Sequence, residues 1–496
     1  MVNMKILNLS LPYLLIFYFI IFFYTNNVGD FSVYDTLWLI LLLFCAIIPL
    51  QIALILLIKN SIKSNLILLS LIGAFFTFGH MSTMLIENNM EIGRYRYLIP
   101  IYLGILSPII FVILRNRIDL KKITTISFSI IIVLILISST NLKFNESHYE
   151  DIELLNPGID NYPDIFYIVP DEYAGDATLK TQFVFDNSKF YNMLYEKGFQ
   201  VIPSSYSNYR ASSLSISSTL NFDYIKSSYN EIHSPLMTVD ELSDNNLFNF
   251  LRNNDYKIIT ASGVYISDNL KNVSENRCTK FINYDLFRHV LQSTALKSFT
   301  YEILFPLFND HSCQFTFHND LNLDKNDHHF VYVHYGIPHT PKMEYEDGKY
   351  FYSKEVLKYK QKNLDELEQE YLHNIKLANS EIKKLVESII SYNPNAIIII
   401  NSDHGYRDIH KTQDASNSML VDQHAILSDY NTLMAIYSPT ELVFPTEISS
   451  VNLFRTVLNQ VYNQDLEILP NEYYYGCTQT GEFTRVDTTE GVINCE

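Results

Sequence analysis

The first ~140 residues of this chain form a series of five apolar runs, and no other feature limits its fold so strongly. A helix crossing a bilayer needs about 20 predominantly apolar residues, since only intrahelical hydrogen bonds can satisfy its backbone there. Runs near 6–24, 34–58, 65–86, 97–114 and 123–140 meet that requirement. The first follows Lys5, but Phe22 to Thr25 stand where a signal peptide would need a small-residue cleavage site, so it reads as a retained helix.

Charge in the connecting loops orients the spans. Lys59 and Lys63 lie between the second and third runs, and Arg115, Arg117, Lys121 and Lys122 between the fourth and fifth. The first loop has no Lys or Arg, and the third mixes Glu87 and Glu91 with Arg94 and Arg96. Positive loops stay cytoplasmic, so the N-terminus is expected inside and everything after Thr140 outside. Residues 1–142 carry nine Lys/Arg and five Asp/Glu, a balance of +4; with −18 for the whole chain, the remainder holds −22. So acidic a domain argues against nucleic acid as a partner. The expected organisation is a membrane anchor at 1–142, a polar linker at 143–162 and an outer domain at 163–496.

Beyond the linker the hydropathy pattern alternates. Stretches 164–170 (DIFYIVP), 256–260 (YKIIT), 329–334 (HFVYVH), 396–400 (AIIII) and 430–437 read as strands; 189–197, 246–253, 354–392 and 451–461 read as helices. Strands alternating with helices predict an α/β domain with a largely parallel sheet. Of the five cysteines, Cys45 lies within a span; Cys278 with Cys313 and Cys477 with Cys495 bracket two segments that disulfides would close outside the cytoplasm.

In open α/β domains ligands gather beyond the carboxyl ends of the strands. Three such ends carry polar residues suited to chemistry. Asp171 and Glu172 follow DIFYIVP; Asp403, His404 and Gly405 follow AIIII; His339 lies between Pro338 and Thr340-Pro341 after HFVYVH. An acid at a strand end is commonly a helix cap or turn residue, and Asp-His-Gly alone reads equally as a turn. Two carboxylates and a histidine at one sheet edge instead suit a divalent metal with oxygen and nitrogen ligands.

FYIVPDEYAG, SNYRASSLSISSTLN, HYGIPHTPKMEYEDG and IIIINSDHG follow one another in an order and spacing that resemble sulfatase-like hydrolases and transferases of the alkaline phosphatase superfamily. The resemblance covers about residues 160–470, and the five-helix anchor is similar to that of bacterial phosphoethanolamine transferases and lipoteichoic acid synthases. It implies an alkaline phosphatase/sulfatase-like catalytic domain in which Asp171, Asp403 and His404 bind one or more divalent ions (zinc, manganese, magnesium or calcium). Ser212 falls where most members have a threonine nucleophile, with Ser213 as the choice if the register slips by one, and it would also touch the metal. Glu172 adjoins Asp171 as an alternative ligand, with Asp171 preferred by position. His339 would hold the oxygens of the substrate, and Arg407 and His424 are further substrate-binding candidates. Metal coordination lowers the cost of a serine alkoxide and neutralises a developing charge on the ester.

The C/S-x-P-x-R context that matures arylsulfatases is absent around Ser212, which disfavours sulfatase activity. The resemblance therefore implies transfer of a phosphoethanolamine, phosphoglycerol or similar group from a lipid donor to an envelope glycan or lipid, at a bacterial inner membrane with the catalytic domain periplasmic or extracellular. A phosphodiester or sulfuric-ester hydrolase and a non-catalytic lipid-binding scaffold are the alternatives. His328 and His329 read as solvated. His80, inside the third run, is a functional hint that a hydrogen bond within the helices would equally explain.

Overall fold

The computed structural model describes residues 4–26, 33–88, 90–115, 118–140, 149, 152, 154–155, 162–226, 228, 244–262, 273–278, 284–300, 310–319, 321–352, 363–407, 428–477 and 480–486. The chain divides into two compact units. One is Met1–Phe144 with Lys280–Phe308; the other is Asn145–Thr279 with Asn309–Glu496.

The first unit is helical. Its five long helices are α1 (Met4–Thr25), α2 (Val33–Ile58), α3 (Ser61–Glu87), α4 (Tyr95–Leu114) and α5 (Leu120–Thr140), all long and apolar enough to cross a membrane. Each contains the corresponding run expected from hydropathy. One buried amide between them is fully paired: Gln51 donates to Asn65 Oδ1 at 2.8 Å and to the Leu9 carbonyl at 3.1 Å, and accepts from the Tyr13 hydroxyl at 2.7 Å. An unsatisfied amide in an apolar bundle would cost several kcal/mol by estimates of roughly 2–7, so this network fixes how α1, α2 and α3 meet.

The second unit is a three-layer α/β domain. Its seven-stranded sheet has β1 (Ile165–Asp171), β2 (Gln200–Val201), β3 (Tyr256–Ser262), β4 (Glu275–Asn276), β5 (His328–Pro338), β6 (Ile397–Asn401) and β7 (Met434–Tyr437), in spatial order β2-β7-β6-β1-β5-β3-β4. β1 is parallel to both β5 and β6, and β3 is parallel to β5 and β4. β7 runs antiparallel to β6 and β2, which leaves the sheet mixed at that edge and parallel elsewhere.

A strand covered on both faces reads as one continuous apolar run, and β1 shows why. Phe166 and Ile168 point into one core with Tyr371, Ile375, Ala378, Ile382 and Leu385 of the long helix Leu364–Tyr392. Ile165, Tyr167 and Val169 point into the other, with Ile216, Leu220, Phe454 and Leu458. The long helix starts at a capping box, Asn363 accepting from the Glu366 N–H while Glu366 accepts from the Asn363 N–H. Cys278 and Cys313 form a disulfide in this unit, and Cys477 is disulfide-bonded; Cys495 lies outside the described residues, as does the linker apart from Tyr149, Ile152, Leu154, Leu155 and Tyr162.

Candidate metal centre

The three central strands deliver the site. β1 ends on Asp171, where a register shift after Pro170 interrupts its pairing with β5. Glu172 then adopts the left-handed conformation, φ 64°, which costs a non-glycine residue energy unless its surroundings enforce it. Here they do. Its N–H donates to Asp403 Oδ1 at 3.0 Å, and its carbonyl accepts from the Tyr371 hydroxyl at 2.8 Å. The turn thereby sends Asp171 and Glu172 in different directions.

The loop after β6 is held as tightly. Ser402 Oγ donates to the Pro170 and His404 carbonyls (2.8 and 2.9 Å) and accepts from the Tyr173 N–H at 2.7 Å, tying the ends of β1 and β6 together. Only one of the first two contacts can hold its proton at a time. The His404 N–H donates to Asp403 Oδ1 at 2.9 Å. Gly405 is required by close approach: a Cβ there would stand 2.1 Å from the Ser428 carbonyl oxygen and 2.6 Å from that of Asn431.

The second donor set comes from α6 (Ser212–Asn221), whose first residue is Ser212. Its position places the hydroxyl at a helix N-terminus, where free N–H groups and the helix dipole favour negative charge. Ser212 Oγ is 3.4 Å from His404 Nε2, and that nitrogen is 3.6 Å from both Asp171 Oδ1 and Asp403 Oδ2. His404 Nδ1 donates to the Gly405 carbonyl at 2.8 Å, which leaves the Nε2 lone pair for a ligand. Asp171, Asp403, His404 and Ser212 are thus gathered, and Ser212 rather than Ser213 faces the histidine.

His334 was not among the residues singled out from sequence. It lies near the end of β5, fully buried, with a ligand atom within 4.8 Å of those of Asp171 and Asp403. Its Nδ1 shares a hydrogen bond with the Tyr332 hydroxyl at 3.0 Å. Asp171 Oδ1, Asp403 Oδ2 and His334 Nε2 are all buried and make no hydrogen bond. Three orphaned groups of two acidic and one imidazole type, converging on one point, fit a divalent cation by donor chemistry.

Electrostatics without an ion shows the same need. Burial, then the nearby Asp403 carboxylate, pushes Asp171 up to about 8. Burial also works against Asp403, but His404, His334 and the Glu172 N–H hold it below the usual carboxylate range. Burial lowers His404 and takes His334 down to about 4, so both rings are neutral near pH 7 and able to ligate.

Glu172 faces the other way. Its Oε1 accepts from the Arg407 N–H at 2.9 Å, and its Oε2 lies 3.5 Å from His339 Nε2. Arg407 Nη2 is 3.4 Å from the same His339 nitrogen. Burial disfavours the charged His339 ring, but Glu172 and then Asp171 raise its pKa above the ordinary value. The His339 loop is clamped by Asn374, whose amide donates to the His339 and Pro341 carbonyls at 3.0 and 3.1 Å. His339 and Arg407 therefore flank the carboxylates together, with the permanent positive charge on the Arg407 guanidinium. His424 lies outside the described residues. His329, expected to be solvated, is buried with its ring 3.1 Å from Asp164 Oδ1.

No family model matches the chain, and no curated protein matches it. Among solved structures, the zinc complex of the C-terminal periplasmic domain of EptC from Escherichia coli is 10% identical, with a TM-score of 0.40, covering 68% of this chain and 95% of that one. The integral membrane lipooligosaccharide phosphoethanolamine transferase A of Neisseria meningitidis is 12% identical, with a TM-score of 0.37, over 92% of this chain and 95% of that one. An alkaline phosphatase superfamily protein from Vibrio parahaemolyticus is 10% identical, with a TM-score of 0.39, over 70% and 80%. Likeness at this level carries neither activity nor substrate to this chain.

Proposed function

We propose that the chain is a membrane-anchored, metal-dependent enzyme of the sulfatase-like alkaline phosphatase superfamily. In this reading it moves a phospho-substituent such as phosphoethanolamine or phosphoglycerol from a lipid donor to a hydroxyl of an envelope glycan or lipid. The anchor comprises residues 1–142, and the outer domain, 163–496, works on the periplasmic or extracellular side of a bacterial inner membrane. One observation carries the reading: a serine hydroxyl at a helix start stands 3.4 Å from His404 Nε2, beside buried carboxylates whose facing oxygens lack hydrogen bonds.

Asp171, Asp403, His404 and Ser212 would hold a divalent ion (zinc, manganese, magnesium or calcium), with His334 as a further donor. Such an ion, when bound, stabilises the Ser212 alkoxide and withdraws charge from a phosphoryl oxygen. Ser212 Oγ, having lost its proton, forms a bond to phosphorus while the bond from phosphorus to the lipid oxygen breaks, and that oxygen takes up a proton. His339 and Arg407 hold the non-bridging oxygens, and Glu172 and Asp171 raise the pKa of His339 above its ordinary value against the effect of burial. The first turn of α6 faces the new phospho-serine with free N–H groups. In the second half an acceptor hydroxyl bonds to phosphorus, loses its proton, and Ser212 is released. Holding this site on a membrane anchor raises the effective concentration of a lipid-borne donor.

The test is intact-mass and metal analysis of the full-length protein in detergent after incubation with phosphatidylethanolamine or phosphatidylglycerol, beside Ser212→Ala. The expected result is a bound divalent ion and a donor-derived mass adduct absent from the variant. An adduct that persists in Ser212→Ala excludes Ser212 as nucleophile. Phosphate-ester product released to water with no acceptor present replaces transfer with hydrolysis, and absence of both ion and adduct replaces the enzyme with a scaffold.

A further inference from the structure

The segment leading into Ser212 carries an arginine that the chemistry above does not use. Arg210 stands two residues before the serine, in SNYRASS. Its side chain is largely buried, with Nε 2.6 Å from Asp429 Oδ2, itself buried. The guanidinium carbon lies 4.9 Å from the centroid of the Tyr475 ring. A guanidinium can pair with a carboxylate and lie on an aromatic ring at once, which a lysine does less well. Arg407 flanks the substrate side; Arg210 is committed to Asp429.

The backbone explains why these two residues meet. The Ser207 N–H donates to the Tyr430 carbonyl at 2.8 Å, and the Thr432 N–H to the Ser205 carbonyl at 2.9 Å. Tyr206 and Asn431 form an antiparallel bridge between those contacts. The chain approaching Ser212 thus runs along residues 429–432, which brings Asp429 beside Arg210. On its other side Asp429 holds the metal loop, its carbonyl accepting from the Gly405 N–H at 2.9 Å. The Gly405 carbonyl in turn accepts from His404 Nδ1 at 2.8 Å, and His404 Nε2 is 3.4 Å from Ser212 Oγ. These links close a ring: Ser212, His404, Gly405, Asp429, Arg210, and back to Ser212 through Ala211.

The start of α6 has little else to fix it. Ala211 occupies its N-cap and makes no side-chain hydrogen bond, where Ser, Thr, Asp or Asn would ordinarily tie down the first turn. Arg210 supplies the missing tether from one residue further out. Behind it stands the hairpin of Tyr474–Gly476 and Phe483–Arg485. Its Tyr474 ring stacks on Tyr209 at 5.7 Å, and the Tyr474 N–H donates to the Asn208 carbonyl at 2.9 Å.

We propose that Arg210 is a positioning residue for the nucleophile: acting through Asp429, it sets the distance of Ser212 Oγ from His404 without touching the substrate. This rests on the reading above in which Ser212 is both nucleophile and metal donor. The test uses full-length protein in detergent and two readouts. One is the single-turnover rate of the Ser212 adduct from phosphatidylethanolamine, followed by intact mass across donor concentrations; the other is zinc affinity by chelator competition. A misplacement of about 1 Å costs on the order of 100-fold in rate, and that loss is expected for Arg210→Ala. Half-saturating donor should stay within about twofold, since no donor contact is removed. Arg210→Lys, which keeps the charge, should recover to within about tenfold of wild type. Zinc affinity should fall about tenfold in Arg210→Ala, with no further fall when Arg210→Ala is added to Ser212→Ala.

A wild-type adduct rate in Arg210→Ala overturns the proposal. So does a half-saturation that rises in step with the rate loss, which would make Arg210 a substrate contact. A zinc loss of equal size with and without Ser212 overturns it too, because Arg210 would then act elsewhere. Failure of the underlying reading looks different: wild type forming no adduct removes covalent transfer, and the zinc comparison then decides Arg210 by itself. Zinc affinity unchanged by Ser212→Ala removes both, since nothing would remain for Arg210 to position. Arg210→Ala leaves the Asp429 carboxylate buried without this cation. If that variant fails to fold, Arg210→Met/Asp429→Asn replaces it, with the same losses expected.

Discussion

Replacing Asp171 by Asn should move stability in opposite directions with and without metal. Ligand atoms of Asp171 and Asp403 lie within 4.8 Å of one another in a buried site. At an effective dielectric of ~20, two full charges at that distance repel by about 3.5 kcal/mol. His404 and His334 are held below their ordinary pKa by burial, so at high pH neither ring offers a compensating charge. Asp171→Asn removes the repulsion from the metal-free protein. The sign with pH follows from its folded pKa of about 8 against the ordinary carboxylate value of 3.8. The folded state binds the proton more tightly, so wild-type stability is lost as pH rises from about 4 to about 8. The variant's advantage in EDTA should therefore be small at pH 5 and complete by pH 9, where ~3.5 kcal/mol corresponds to a melting rise on the order of 10 °C. With excess Zn²⁺ the order reverses, because a lost ligand weakens binding; each 100-fold loss of affinity removes about 2.7 kcal/mol. Thermal melts of the full-length protein in detergent, at both pH values and in both conditions, make the measurement. A variant destabilised equally with EDTA and with zinc would refute the idea that these carboxylates are held apart for a cation.

His334→Gln should weaken divalent-ion binding by at least about tenfold in a chelator competition, since its unpartnered Nε2 faces the carboxylates; unchanged affinity would remove it from the site. Gly405→Ala should cost at least about 2 kcal/mol in melts and disturb the Ser212–His404 spacing, because its Cβ has no room beside the Ser428 and Asn431 carbonyls. Cys278→Ser/Cys313→Ser opens a loop spanning 35 residues, worth about 4 kcal/mol by chain entropy, and should lower the melting temperature and speed proteolysis between those positions. Identical melting and cleavage in wild type and the double variant would show that the bond constrains nothing.

Local pattern carried much of this fold. The spans were readable because each needs only its own ~20 apolar residues. β1 and β6 were readable because a strand buried on both faces is apolar throughout, and Ile397 to Ile400 are buried without exception. The antiparallel direction of β7 was not, since its residues pack the same way whichever direction it runs. Nor was the partner of the helix Tyr284–Ser293. Its sequence YDLFRHVLQS is amphipathic, which gives it one face to bury but does not say against which unit. What seats that helix on α3 is Gly79, some 200 positions earlier in the chain, and a glycine inside an apolar span carries no such message by itself.

The candidate site divides along the same line. Asp171, Ser212, Asp403 and His404 stand out because each interrupts or starts an element, where a polar residue has to be accounted for. His334 does not, because a histidine inside the buried run of β5 looks like any core residue hydrogen-bonded to a neighbour, and Tyr332 does provide that bond. Its other nitrogen gains meaning only when β1 and β6 flank it. The positioning roles of Ser402 and Glu172 are hidden for a related reason: the serine joins two strand ends, and the glutamate orients Asp403 through its backbone N–H, a group that every residue but proline has. Sequence therefore exposes the groups that would touch an ion or a substrate, while those that aim them are found through the fold. The two sets are separable in experiment. Exchanging Ser402 for Ala should leave all the ligand atoms in place and still loosen the site, because the link between the Pro170 and His404 carbonyls is lost.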